Sequence, residues 1–193
     1  GVGFHMDIQV KRNTREDPVV IPIKFTGDIQ RPDRMKGHLS VSTGSITIET
    51  DIVSINSTIY STDMTTGHWA VTGGDAPFFM RPDEFLDTLP AAVQDAVLRV
   101  ETLNGIPTFL VSGVNSPGVL GPDAGDFEVS LWIGVNGRLL RQVTIFGMSD
   151  EVGAFVKGLG LQTGDAKGTI FLTLKFRDHG KVVNVKAPQI ISN

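Results

Sequence analysis

Along most of this chain the apolar side chains change sides at every residue. Phe4, Met6, Ile8 and Val10 alternate with His5, Asp7, Gln9 and Lys11. That two-residue period places one set on each face of a half-buried antiparallel strand. After the charged turn "NTRED", the run "VIPIKFTGDI" repeats the device, with Ile21, Ile23 and Phe25 inward and Lys24 outward. "HLSVST" and "GSITIETDIVSI" follow, with Leu39, Val41, Ile46 and Ile48 as the inward set. "STIYSTDM" and "GHWAVTG" then complete a meander of about six strands.

One long segment breaks the period. In "RPDEFLDTLPAAVQDA", residues 81–96, Phe85, Leu86, Leu89, Val93 and Ala96 recur at helical spacing. Pro82 suits the first turn, Asp83 and Glu84 suit the positive end, and Pro90 kinks or splits the segment. Strand pattern then resumes in two hairpins, each with the Asn-Gly pair that favours a type I′ turn, at Asn104-Gly105 and Asn136-Gly137. A last pair, "TIFLTLKF" and "KVVNVKAP", meets at "RDHG". Before it, residues 148–168 form a weakly periodic insertion in which Val152, Phe155, Val156, Leu159 and Leu161 stand among glycines, which suits a mobile lid, a membrane-touching loop or a plain surface excursion.

About a dozen strands would span on the order of 50 Å if laid flat, whereas a helix of about 15 residues is roughly 22 Å long and 10–12 Å across. One helix leaves apolar positions uncovered. A further helix, closure of the sheet on itself, or a non-protein occupant of the concave face would each resolve the mismatch.

Composition narrows the function. With 193 residues, 40% hydrophobic and 20% charged, the chain reads as one globular domain, 1–193. A net charge of −4 with scattered Lys and Arg gives no footprint for nucleic acid. The absence of cysteine excludes disulfides and a thiolate nucleophile. No stretch reaches the roughly 18 apolar residues of a spanning helix. The chain opens at Gly1 almost inside a strand pattern, so a signal peptide or lipid-attachment cysteine is expected upstream.

Taken in order, "STIYSTDMTTGHWAV", the 81–96 segment followed by "VETLNGIPTFLVSG", the hairpin "LWIGVNGRLLRQVTIFG" and the ending "LKFRDHGKVVNVKAP" resemble the LppX/LprA/LprF/LprG lipoproteins of the actinobacterial cell envelope. No single motif is specific; the succession carries the likeness, over nearly the whole chain. The insertion at 148–168 and the lack of an alanine-rich composition depart from the family. The resemblance implies an α+β fold: a strongly curved antiparallel half-barrel with a helix on its concave face, enclosing an apolar cavity, related to the LolA and LolB carriers. It further implies an exported protein of the cell envelope, periplasmic or extracytoplasmic, that carries the acyl chains of a lipid or glycolipid. Its partners would be the membrane surface, through an N-terminal lipid anchor, and a membrane transporter.

On this reading the lipid-binding residues are Phe4, Met6, Ile8, Ile23, Phe25, Ile46, Ile48, Phe85, Leu89, Val93, Leu172 and Leu174, with Tyr60 and Trp69 at the mouth. An acyl chain gains about 0.8 kcal/mol per buried methylene, so such a wall needs no reactive group. The plainer alternative is that these side chains pack on one another, with Tyr60 and Trp69 as ordinary cross-strand packing. An enzyme is not expected, nor any cofactor or metal. His5, His38, His68 and His179 fall in no ligand spacing and read as solvated. "GVNSPG" misses the nucleophile elbow, and "GLGLQTG" has the wrong glycine spacing for a dinucleotide loop. The competing function is an envelope sensor or interaction domain of the same architecture that binds a peptide or a partner protein.

Overall fold

The computed structural model describes residues 1–12, 19–56, 58–63, 65–72, 96–114, 127–149 and 168–190. Within them the alternating segments become eleven strands: β1 Val2–Arg12, β2 Val19–Gln30, β3 Arg34–Thr43, β4 Ile46–Ile55, β5 Thr58–Thr62, β6 Trp69–Thr72, β7 Val97–Leu103, β8 Ile106–Val114, β9 Phe127–Gly134, β10 Leu140–Ser149 and β11 Gly168–Arg177. All pair in one sheet, in the order β6-β5-β4-β3-β2-β1-β11-β10-β9-β8-β7. Each strand bonds its successor except β6, and β1 bonds β11. In connectivity this is a ring opened between β6 and β7, with the first and last strands side by side in the middle.

The period-two pattern decides which face is buried. Register aligns Val129, Ile145, Leu172, Ile8, Ile23 and Val41 in a row across six strands, and none is more than 2% exposed. The next row is Leu131, Val143, Leu174, Met6, Phe25 and Leu39, also buried throughout. Burying a side chain of this kind contributes about 1.5–3 kcal/mol, so these rows dominate the stability of the fold. Burial weakens toward the β7 edge: Leu131 is buried, Val111 half-buried, and Leu98, next in register, is 64% exposed. The opposite face is mixed, with exposed Phe146 and Phe171 meeting edge to face among polar side chains. There His5 pairs with Asp7 at 3.0 Å and His38 with Asp51 at 2.8 Å.

The fold-class expectation requires correction. Every element formed by the described residues is a strand, and together they make one large open antiparallel sheet, so the α+β half-barrel with a helix on its concave face is not the architecture found. Period-two alternation is complete in β11, with buried positions at every second site, whereas β4 buries three consecutive residues and β7 buries none. The segment 81–96 lies outside the described residues except for Ala96, which is in no helix. The insertion at 150–167 lies outside them as well.

Two smaller expectations also shift. Asn104 and Gly105 both have positive φ, at 51° and 80°, as a type I′ turn requires. In the second hairpin the positive values fall one residue later, at Gly137 and Arg138, and the Gly134 N–H closes the turn on the Leu139 carbonyl at 2.9 Å. Past this turn β10 carries an extra residue, Arg141, between Leu140, which faces Ile133, and Gln142, which faces Trp132. "KVVNVKAP" forms no strand. Its Val185 is instead buried against the β2–β3 end of the sheet, donating its N–H to Gln30 Oε1 at 2.8 Å and accepting from Arg34 at 3.2 Å.

Candidate functional site

Of the residues singled out for lipid contact, Phe4, Met6, Ile8, Ile23, Phe25, Leu172 and Leu174 come together on the buried face, each at most 5% exposed. Phe4 and Phe25 meet edge to face with ring centroids 5.1 Å apart. Ile48 shares that face across from Val41 and is half-buried, whereas Ile46 at the start of β4 is 61% exposed. Tyr60 and Trp69 are half-buried on the opposite face, in register with Val53 and Thr62. Phe85, Leu89 and Val93 lie outside the described residues.

The buried face ends in a cavity of about 430 Å³, within the range of roughly 300–1,000 Å³ typical of small-molecule sites. It sits where β1 begins and β2 and β11 end. Val2, Ile29, Leu139, Leu140 and Phe176 supply its apolar wall; Arg31, Arg138 and His179 supply the polar part. Among the described residues no carboxylate lines it. The acids nearest in sequence are committed elsewhere: Asp33 lies 4.0 Å from Arg34, Asp28 pairs with Lys36 and Lys181, and Asp178 lies between Arg177 and Lys181.

His179 corrects the expectation of a solvated histidine. Its Nε2 is buried without a hydrogen-bond partner. Burial holds the imidazole below its ordinary pKa, the Arg141 guanidinium adds to that, and a hydrogen bond to the Leu140 carbonyl together with Asp178 opposes them. Arg141 Nε is likewise buried and unpartnered. The bulge explains its position: an extra residue in one strand re-aims the side chain it carries. Sequence reading missed this cationic end, because Arg31, Arg138 and Arg141 are scattered along the chain and only the β9–β10 turn and the β2–β3 turn bring two of them to one cavity. Among the described residues no group of three His, Asp or Glu is placed to hold a metal ion.

The described strands thus form one open antiparallel sheet whose apolar face ends in a cavity. The chain belongs to the LppX_LprAFG lipoprotein family, whose model matches residues 2–157, from β1 past the end of β10. Among solved structures it is similar to LprF from Mycobacterium bovis, at 17% identity and a TM-score of 0.54, over 97% of this chain and 89% of that one. A putative outer membrane lipoprotein-sorting protein domain from Vibrio parahaemolyticus aligns at 10% identity and a TM-score of 0.33, over 94% and 87%. No curated protein matches in sequence.

Proposed function

We propose that this protein is a lipid carrier of the cell envelope, shielding the acyl chains of a lipid or glycolipid on the apolar face of its sheet and moving them between membranes. The observation that carries this reading is the single apolar face, built from neighbouring strands in register and opening at one end into the cavity beside Val2, Ile29, Leu140 and Phe176. Membership of a lipoprotein family supports it. The residues proposed to meet the chains are Phe4, Met6, Ile8, Ile23, Phe25, Leu172 and Leu174, continued by the cavity wall. Uptake and release would follow partition alone, at about 0.8 kcal/mol per methylene transferred, with no bond made or broken. An N-terminal lipid anchor and a membrane transporter as partner belong to the same proposal. Transfer of a fluorescent phospholipid between donor and acceptor vesicles tests it: the rate should rise in proportion to protein concentration, and a rate indifferent to protein contradicts carriage.

One observation favours the interaction-domain reading. The edge strand β7 exposes Val97, Leu98 and Val100 at 50%, 64% and 70%, and an apolar sheet edge is a template for an added strand. A peptide bound there would broaden the amide resonances of β7 and leave β1 and β11 unaffected.

A further inference from the structure

The first six side chains of β7, Val97 to Thr102, are exposed on both faces of the strand, with Leu98 and Val100 at 64% and 70%. Among the described residues β7 pairs on one side only, with β8. The hairpin determines what its other side offers. Leu103 and Ile106 flank the two-residue turn and exchange both backbone bonds, so alternation directs the N–H and C=O groups of Leu98, Val100 and Thr102 away from β8. Pro107 agrees with that phase: it stands opposite Thr102, has no N–H to give, and turns its carbonyl to the Val135 N–H at 3.0 Å. The outer side of β7 is thus the row of donors and acceptors that an added strand requires.

Charge selects which strand fits. β7 carries one charge of each sign, Arg99 and Glu101, two residues apart and therefore on the same face. A two-fold axis through Val100, normal to the sheet, places Arg99 opposite Glu101 of a second copy and Glu101 opposite its Arg99. The same axis sets Val100 against Val100 and Leu98 against Thr102 as hydrogen-bonded pairs, using every outward position. The Trp132 indole N–H donates to Glu101 Oε1 and holds the carboxylate on that face, which leaves its other oxygen for a guanidinium. The strand at the opposite end of the sheet offers no such match: β6, Trp69–Thr72, has four residues and no charge.

We propose that two copies of this protein associate through β7, antiparallel about a two-fold axis at Val100, so that their sheets continue as one. Such a contact is isologous and closes at the dimer. Leu98 and Val100 of each copy then carry the apolar face across the junction, beyond Val111 and Phe109. The proposal stands independently of the carrier reading. A contact between two seven-residue strands lies at the small, transient end of interface sizes, so the dimer forms at high concentration.

Sedimentation velocity of the wild-type chain from about 1 μM to about 1 mM, a span that covers weak affinities, tests it. Arg99→Glu and Glu101→Arg, each altered at an exposed side chain, are run beside it. Wild type should pass from monomer to dimer. Either variant alone sets like charges opposite each other at both positions and should weaken association at least about tenfold. An equimolar mixture of the two should associate again, because each copy then meets the opposite charge. A wild type monomeric throughout, a dimer indifferent to both variants, or a mixture no tighter than its components overturns the proposal. Polymers larger than a dimer would join β7 to β6 and overturn it too. A monomer whose Val100 amide exchange slows only when an extended valine-rich peptide is added gives the edge to a peptide and overturns the second copy as its occupant.

Discussion

Gly27 and Gly37 face each other across β2 and β3 at a point where neither has room for a side chain. A Cβ on Gly37 would lie 2.6 Å from both Phe25 Cε2 and the Thr26 carbonyl oxygen; on Gly27 it would lie 2.1 Å from the Lys36 carbonyl oxygen. The gap lets the Phe25 ring lie across the strand pair within the same buried face that holds Phe4. Gly37→Ala is therefore expected to cost about 1–3 kcal/mol as an overpacked core site, read in urea as a lower midpoint with an unchanged slope. An unchanged midpoint would mean that the strands can part at no cost.

The buried rows separate stability from loading. Ile8 lies between Ile23 and Leu172 at 1% exposure, so Ile8→Ala should lose about 2–5 kcal/mol of stability. Ile48 is only half-buried. Ile48→Gln should lower lipid loading clearly while moving the unfolding midpoint little, and equal losses in both would make its site ordinary core.

His179 predicts a pH dependence with a definite sign. Its folded pKa lies below the ordinary 6.5, so between that lower value and 6.5 the unfolded chain binds a proton that the native protein does not. Stability from this group is complete above pH 6.5 and falls as the pH drops through that window. Urea midpoints measured at steps from about pH 7.5 down to about 5 should fall more steeply for wild type than for His179→Gln. Parallel curves would show that the ring is free to ionise.

At the β7 edge, Leu98→Lys and Val100→Lys alter side chains that are mostly in water, so stability should change by no more than about 0.5 kcal/mol. The carrier account predicts unchanged lipid loading in both variants. Lost loading would move the lipid path to this edge.

The strands were legible because alternation records burial directly: Phe4, Met6, Ile8 and Val10 were assignable to the core from spacing alone, and all are at most 2% exposed. The same signal misled at Ile46, where the pattern continues into the exposed beginning of β4. In "KVVNVKAP" it reflects Val185 anchoring a strandless tail through Gln30 and Arg34. The fold class was overdrawn from one helical period and a family likeness, against a sheet whose breadth the strand count already indicated. The cationic cavity was not legible at all. Arg31, Arg138 and His179 meet only because β1 and β11 lie side by side and the turns at one end of the sheet converge, a consequence of topology with no local pattern.

The most direct measurement is native mass spectrometry of the purified protein, followed by organic extraction of what it carries. The account predicts a stoichiometric co-purifying species with acyl-chain masses, released on denaturation. A protein that shows only its own mass, and keeps it after incubation with envelope lipids, would contradict the claim that its apolar face is built to hold lipid.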